Sequence, residues 1–462
     1  MNYKIKTETP VLLGDIIKKK HIDVSMPCGG CSGCGRCKVT VKGDISGICE
    51  KEKELLSAEE LSGNVRLACY TFVNSECTIT VPDEEYTIKK CDFAAVDVGT
   101  TSIEVKYSDG TDVKLRNPQM AYGADVISRI SNSEGFYDEM HESITECLKK
   151  LIGGCESAVI TGNTVMLSII GRKSLKEIAV YPFKPECLFG YSGKLFETEV
   201  YYPPCADSFI GADIVCGVVS SGMTKKQTPV ILCDIGTNTE IALWDGKELY
   251  FTSAPSGPAF EGGNISCGMP ALEGAVSSVY KEGYKLCYDT VDGAEETGIC
   301  GSGLIDAVWF MREQRILSDS GRIMEYGHRF PHLVTYKNGE TAFKIGSISL
   351  TQTDIRNFQT AKAAVMTAIE LLIRESKIKC EPEIMISGQF GAHLNFDNAV
   401  KVKMLPKASF SLLKNAALEG AFKMKDEAYR KKAEELLKNA VVIQLHEIED
   451  FPEKLTQNMN FL

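Results

Sequence analysis

The sequence predicts a multidomain protein. A small α+β module spans residues 1–86, and a larger α/β region of two duplicated lobes follows it. Two observations carry this reading. The stretch Pro27-Cys28-Gly29-Gly30-Cys31-Ser32-Gly33-Cys34-Gly35-Arg36-Cys37 crowds four thiols and four glycines into eleven residues. Further on, an apolar strand running into Asp-x-Gly-Thr, followed by an alternating strand, occurs twice: at Phe93–Tyr107 and at Val230–Trp244. A repeat of that form marks an internal duplication.

At 462 residues the chain has room for two or three domains. No apolar run approaches the eighteen or so residues of a membrane span. The opening residues, Met1 to Thr7, alternate as a strand rather than as a charged-then-apolar signal. A net charge of −11 excludes nucleic acid as the main partner, because phosphate backbones call for a basic face. An anionic nucleotide held through backbone amides and Mg²⁺ remains compatible with it. The 18 cysteines are spread along a chain too large to need staples. That is the usage of a reducing compartment, where thiols serve metal or cluster chemistry and no disulfide is expected. The expectation is a cytoplasmic protein with neither a membrane nor a nucleic-acid partner.

In the N-terminal module, Val11–Ile17 has helical spacing, and Ile22 and Val24 alternate toward the cysteine loop. Lys38–Asp44 alternates as a strand and ends at a turn. Glu52–Leu61 reads as one short helix, Arg66–Tyr70 follows, and Cys77–Pro82 closes the module as a strand. This plan resembles the plant/adrenodoxin-type ferredoxin, or β-grasp, fold.

Two ligand sets compete for the cysteine loop. Cys28, Cys31, Cys34 and Cys37 approach the bacterial [4Fe–4S] run, which has one more residue before its last cysteine and a proline after it. Cys28, Cys34 and Cys37 with the distant Cys69 follow the plant-type [2Fe–2S] spacing with one residue added to the first gap. Arg66-Leu67-Ala68-Cys69 stands where the resembling ferredoxins keep their fourth ligand. That choice leaves Cys31 as a spare thiol. Structural zinc is the bland alternative, but the chain has no second pair of cysteine knuckles.

Residues 87–92 read as a short linker, and 93–462 as lobes of about 93–228 and 229–462. Each lobe carries a phosphate clamp. Asp97 stands with Gly99, Thr100 and Thr101 in the first, Asp234 with Gly236, Thr237 and Asn238 in the second. Glycine lets the hairpin backbone come close, threonine hydroxyls and amides hold phosphate oxygens, and carboxylates hold Mg²⁺ through water. With these two clamps the region resembles the actin-like ATPase superfamily of acetate and sugar kinases, heat-shock proteins and actin, whose lobes clamp ATP. The resemblance places Asp213, in Phe209–Gly217, beside the attacking water, giving Asp97, Asp213 and Asp234 catalytic roles. It makes Ile384–Gly391 the adenosine motif, with Gly388 and Gly391 against base and ribose. It makes Asn415–Ala421 a second connecting helix, whose small residues allow close crossing with the first.

Other segments carry less. Gly301 and Ser302 open a helix whose amides would face the nucleotide; the alternative is an ordinary glycine-rich helix start. Ser256–Gly263 either lines the cleft or forms a surface turn. Thr353 is expected to cap a long packing helix that ends near Arg374.

A ferredoxin joined to this ATPase resembles one family, the reductive activators of corrinoid proteins. The likeness rests on Cys-Gly-Gly-x-x-x-Cys-Gly-x-Cys-Lys-Val at Cys28–Val39, Arg-Leu-Ala-Cys ending at Cys69, and Asp-Val-Gly-Thr-Thr from Asp97. It continues through Gly162-Asn163-Thr164-x-Met166-Leu167, Tyr181-Pro182-Phe183-x-Pro185, Gly257–Gly262 and Gly298–Gly303. The family implies a [2Fe–2S] cluster, ATP and Mg²⁺, a low-potential electron donor, and a corrinoid protein of a methyltransferase system as partner. Its activity is ATP-dependent reduction of Co(II) to Co(I). Three departures stand out: Cys31 and Gln389 replace the family's residues, and the middle domain is expected to be missing because Pro82 and Asp97 are nearly adjacent. A homodimer is left open. The rival readings are an ATP-driven electron donor to another low-potential enzyme, a redox-regulated small-molecule kinase, and a non-enzymatic ATP-switched binding protein. The ligand set is decided by EPR and iron counts: Cys69→Ala is expected to lose the cluster and Cys31→Ala to keep it. The reverse result assigns the four-cysteine loop.

Overall fold

The computed structural model describes residues 2–20, 22, 24, 26, 37–80, 89–337, 339–388 and 394–461. The backbone divides into two compact units, Met1–Asp213 with Ala421–Arg430, and Ile214–Gly420 with Lys431–Leu462.

The first unit begins with β1 (Asn2–Lys6), β2 (Val11–Leu12), α1 (Leu13–Lys19), β3 (Lys38–Ile45), α2 (Glu50–Leu55), α3 (Ala58–Ser62), β4 (Val65–Leu67) and β5 (Phe72–Thr80). Among the described residues these strands form one sheet in the order β1-β5-β3-β4, with β2 on β5, all antiparallel. Ile5, Leu13, Ile17, Val39, Val41, Leu67, Val73 and Ile79 are its buried core. The single helix expected over Glu52–Leu61 is two helices. Leu56 is extended, and Ser57 caps α3 in a reciprocal bond pair with Glu60, which starts a new helix in place of continuing the old one. The expected closing strand ends at Thr80, and Val81 and Pro82 lie outside the described residues.

The same unit continues through β6 (Cys91–Val98), β7 (Ser102–Tyr107), β8 (Asp112–Arg116), α4 (Val126–Ile152), β9 (Cys155–Gly162), α5 (Thr164–Ile170), β10 (Tyr191–Leu195) and β11 (Thr198–Tyr202). Their sheet runs β10-β11-β9-β6-β7-β8. β6 is central, and Phe93–Val96 is fully buried, as a near-continuous apolar run requires. Cys91 and Cys155 are register partners at the start of the parallel β6–β9 pair, and the structure joins them as a disulfide. This corrects the expectation of none: the pairing register brings their Cα atoms to 4.6 Å, a proximity invisible across 64 residues of sequence. The N-terminal module packs on this part through the Tyr122 hydroxyl, which donates to the Lys18 carbonyl at 2.7 Å.

The second unit takes in most of α6 (Ala212–Ser221), then β12 (Val230–Ile235), β13 (Thr239–Trp244), β14 (Leu249–Ala254), β15 (Ala275–Glu282), β16 (Lys285–Thr290), β17 (Gly298–Ile299) and α7 (Gly301–Glu313). It continues with β18 (Val334–Lys337), β19 (Glu340–Ile345), β20 (Ile348–Thr351), α8 (Gln352–Ser376), β21 (Glu383–Ser387), α9 (Phe396–Lys401), β22 (Phe410–Leu412) and α10 (Ala416–Lys423). Last come α11 (Glu427–Lys438), β23 (Val441–Val442) and α12 (Phe451–Met459). Its main sheet runs β22-β21-β12-β13-β14-β23.

The duplication is visible in the strand order. In β8-β7-β6-β9-β11 and in β14-β13-β12-β21-β22, two successive antiparallel pairings lie on one side of the central strand and two successive parallel pairings on the other. The small-residue crossing expected of the connecting helices is also present. A Cβ on Gly420 of α10 would stand 2.0 Å from the Cys216 carbonyl oxygen of α6, and the Ser220 hydroxyl donates to the Ala416 carbonyl at 2.7 Å. The cap of α8 is Thr351 rather than Thr353, because Asp354 sits three positions into the helix and returns a bond to the Thr351 amide.

The chain's last described residues dock on α8. Lys362 is fully buried, bonds the Asn460 carbonyl and lies 4.6 Å from the centre of the Phe461 ring. Burial, with repulsion from Lys403 and Arg312, pushes its ammonium from 10.5 down to about 7. Between these values the unfolded chain holds the proton and the folded chain does not, so this group makes stability rise with pH. Lys362→Met is expected to remove that rise. Urea unfolding at pH 7 and pH 9.5 checks it: an unchanged pH increment in the variant contradicts the assignment.

Candidate cluster and phosphate sites

Strands β3 and β4 build the thiol site. Cys37 precedes β3, Cys69 follows β4, and the Lys38–Leu67 pairing continues into a bond from the Ala68 amide to the Cys37 carbonyl at 2.9 Å. The two sulfurs are 3.2 Å apart and both residues are buried. The Cys69 amide points at the Cys37 sulfur at 3.4 Å. Glu52, expected only as the start of a helix, anchors β4 from behind. It takes the Arg66 guanidinium at 2.9 and 2.7 Å and the Leu67 amide at 3.1 Å. Cys28, Cys31 and Cys34 lie outside the described residues. Two buried thiols this close, with an amide aimed at one sulfur, fit a shared metal centre.

In the first unit Asp97 pairs in register with Glu104 on β7 and Thr161 on β9. The Gly99–Thr101 turn is tied from behind through its carbonyls. Asn117 donates to Gly99 at 2.7 Å and to Thr101 at 3.0 Å, and the Arg129 guanidinium donates to Thr100. Arg129 is fully buried and also bonds the Gly123 carbonyl at 3.0 Å. A Cβ on Gly211 would stand 2.5 Å from Asn163 Cα and 2.6 Å from Asp213 Oδ1, so the turn after β9 abuts the start of α6. Asp97 at the end of β6 and Asp213 at the start of α6 therefore lie at the same end of one sheet. The buried Thr161 hydroxyl there has no hydrogen-bond partner among the described residues.

In the second unit Asp234 faces Glu240 on β13 and Ser387 on β21. Gly388 has φ +92°, and a Cβ there would stand 2.8 Å from Asp234 Oδ1. The start of the expected adenosine turn thus lies directly on the second clamp; Gln389 and Gly391 lie outside the described residues. The Gly236–Asn238 turn is laced to the following loop. The Ser256 hydroxyl bonds the Gly236 carbonyl at 2.9 Å, the Gly257 amide bonds the Thr237 carbonyl at 2.8 Å, and the Thr237 amide donates to Glu261 Oε1 at 2.8 Å. Ser256–Gly263 is therefore bound to the Gly236–Asn238 turn rather than a remote surface turn. Thr237 is only 2% exposed, and its hydroxyl lacks a partner among the described residues. Beyond this loop, a cavity of about 120 Å³ is lined by residues 256–259, Asn264, Asn357 and Thr360. Gly301 and Ser302 sit buried in the first turn of α7, where the Ser302 hydroxyl donates to the Ser277 carbonyl at 2.9 Å. That bond packs the start of α7 on β15. The partnerless Thr161 and Thr237 hydroxyls, each near an acidic strand end, fit a phosphate with its Mg²⁺.

Residues 228–462 match the family model for the C-terminal, ASKHA domain of RACo, and residues 94–226 match the RACo middle region. The chain belongs to the RACo family. A relative from Eubacterium limosum, the corrinoid activation enzyme RamQ, is 30% identical over 357 residues, 68% of this chain and 60% of the relative. The [Co(II) methylated amine-specific corrinoid protein] reductase of Methanosarcina barkeri is 26% identical over 317 residues, 58% of this chain and 56% of the relative. The chain thus spans less than two thirds of the length of either. A solved reductive activator for corrinoid, iron-sulfur protein shares the fold, with a TM-score of 0.73 at 22% identity over 99% of this chain and 96% of that one. The middle-region match corrects the expectation of a missing middle domain: the segment read as the first lobe is the one that matches it.

The sequence reading missed Glu52, Asn117, Arg129, Thr161 and Glu261, and only Glu261 lay inside a quoted motif. Thr237→Val keeps the shape of the side chain and removes its partnerless hydroxyl. It is expected to stabilise the nucleotide-free protein by about 1 kcal/mol while weakening Mg-nucleotide binding several-fold. Urea unfolding and calorimetric titration check both directions; unchanged binding removes the hydroxyl from the site.

Proposed function

We propose that this chain reductively activates a corrinoid protein of a methyltransferase system, using ATP to drive one electron from its iron–sulfur module onto Co(II) and produce Co(I). The observation that carries the reading is the union, in one chain, of the buried Cys37–Cys69 thiol pair with two sheets of the same strand order. A central strand of each sheet runs into an acidic glycine–threonine turn. The names of the two relatives support the corrinoid partner.

Cys28, Cys34, Cys37 and Cys69 would hold a [2Fe–2S] cluster, which supplies a one-electron carrier when bound. The chain's part there is to keep Cys69 placed through the Glu52–Arg66 pair and to exclude water from the two buried sulfurs. Asp97 and Asp234 would orient Mg²⁺ through water, and the Thr100–Thr101 and Thr237–Asn238 turns would take phosphate oxygens. Asp213, beside the β9 turn, would orient the attacking water, and Gly388 gives base and ribose room beside Asp234. Gly301 and Ser302, in the first turn of α7, would offer backbone amides to the nucleotide.

An uphill electron transfer of about 100–200 mV costs roughly 2–5 kcal/mol. ATP offsets that only by binding two conformations of the protein, or of its complex, with different affinity. The cytoplasm and a separate low-potential donor complete the reading. Anaerobic protein mixed with a Co(II) corrinoid protein and a low-potential donor is expected to develop Co(I) absorbance only with Mg-ATP. Asp234→Ala is expected to abolish it and leave the cluster spectrum intact. Equal reduction without nucleotide contradicts the proposal.

A further inference from the structure

We propose that Glu261 is a built-in competitor for the phosphate site of the second clamp. Its carboxylate holds the Thr237 amide in the absence of nucleotide and releases it when a phosphate oxygen binds. The inference rests on the nucleotide reading of the Asp234 turn. Glu261 Oε1 accepts from the Thr237 amide at 2.8 Å, and a Cβ on Gly236 would stand 3.1 Å from the same oxygen. The carboxylate therefore covers the turn at the residues that would meet a phosphate. An amide has one proton, so two anionic oxygens cannot both take it. The neighbouring Thr237 hydroxyl, 2% exposed and without a partner among the described residues, shows that the turn offers a second donor that Glu261 does not use. A phosphate oxygen replacing the carboxylate satisfies both.

The surrounding loop makes this a side-chain rotor rather than a lid. On one side the Ser256 hydroxyl and Gly257 amide fasten the loop to the Gly236 and Thr237 carbonyls. On the other, buried Asp354 takes the Ser266 amide at 2.6 Å and the Ser266 hydroxyl at 2.7 Å. Between them Gly262 has φ +81°, and a Cβ there would stand 2.4 Å from the Met269 amide nitrogen. With the backbone held at both ends, the amide is freed by rotation of the Glu261 side chain. The first turn is likewise tied through its carbonyls, by Asn117 and Arg129.

Calorimetric titration of the full chain with a non-hydrolysable ATP analogue tests the proposal, using wild type, Glu261→Ala and Glu261→Gln. Glu261→Ala is expected to bind about tenfold more tightly than wild type. Glu261→Gln, which keeps the shape and an acceptor but not the charge, is expected to fall between them and guards against a folding defect in the alanine variant. Binding equal to or weaker than wild type in both variants overturns the proposal and makes Glu261 a positioning residue for the turn. Binding in the variants but not in wild type supports it. Absence of binding in all three removes the nucleotide reading of the turn, and the competitor with it.

Discussion

The second unit depends on how closely the backbone packs around the turn after Asp234. The Gly236 and Thr237 carbonyls are taken by Ser256 and Gly257, which holds the turn, and the Thr237 amide goes to Glu261 of the same loop. Gly388 closes the other side, with no space for a Cβ beside the Asp234 carboxylate. With the backbone held this way, only the Glu261 side chain has to move before the Thr237 amide can meet a phosphate oxygen. The first unit reaches a similar result by other means: Asn117 and a buried arginine hold the Gly99–Thr101 carbonyls from behind. The common cause is a central strand buried on both faces, which presents its acidic end at a defined edge of the sheet.

The thiol site has the same logic on a smaller scale. Cys37 and Cys69 are 32 residues apart, yet β3–β4 pairing leaves them adjacent just beyond the last ladder rung. Glu52 holds that rung through Arg66 and the Leu67 amide in a buried, fully engaged pair. Removing either partner would leave an unpaired charge in the core, so this pair fixes geometry more than it adds stability.

Much of this was legible in the sequence because it is local. Apolar strands ending in Asp-x-Gly-Thr, the small residues of the crossing helices and the Arg-Leu-Ala-Cys motif each announce their structure within about ten residues. What was missed is long-range or competitive. Leu56 and Ser57 break an apparently continuous helix because the Ser57–Glu60 box is a better start than Leu56 is a continuation. Thr351 takes the cap assigned to Thr353 because Asp354 answers it. Arg129, Thr161 and Glu261 owe their positions to tertiary contacts, and so does the Cys91–Cys155 pair. Gly301 opens α7 as its motif suggested, while the Ser302 hydroxyl's bond to the Ser277 carbonyl of β15 is a long-range contact the motif does not show.

The central claim is that nucleotide and electron are coupled in one chain. The direct measurement follows the EPR signals of pre-reduced protein and a Co(II) corrinoid protein mixed anaerobically without any other reductant. The reduced-cluster and Co(II) signals are expected to disappear together, one for one, with Mg-ATP and to persist without it. Joint loss at the same rate in the absence of nucleotide, or loss of one signal alone, would contradict the account.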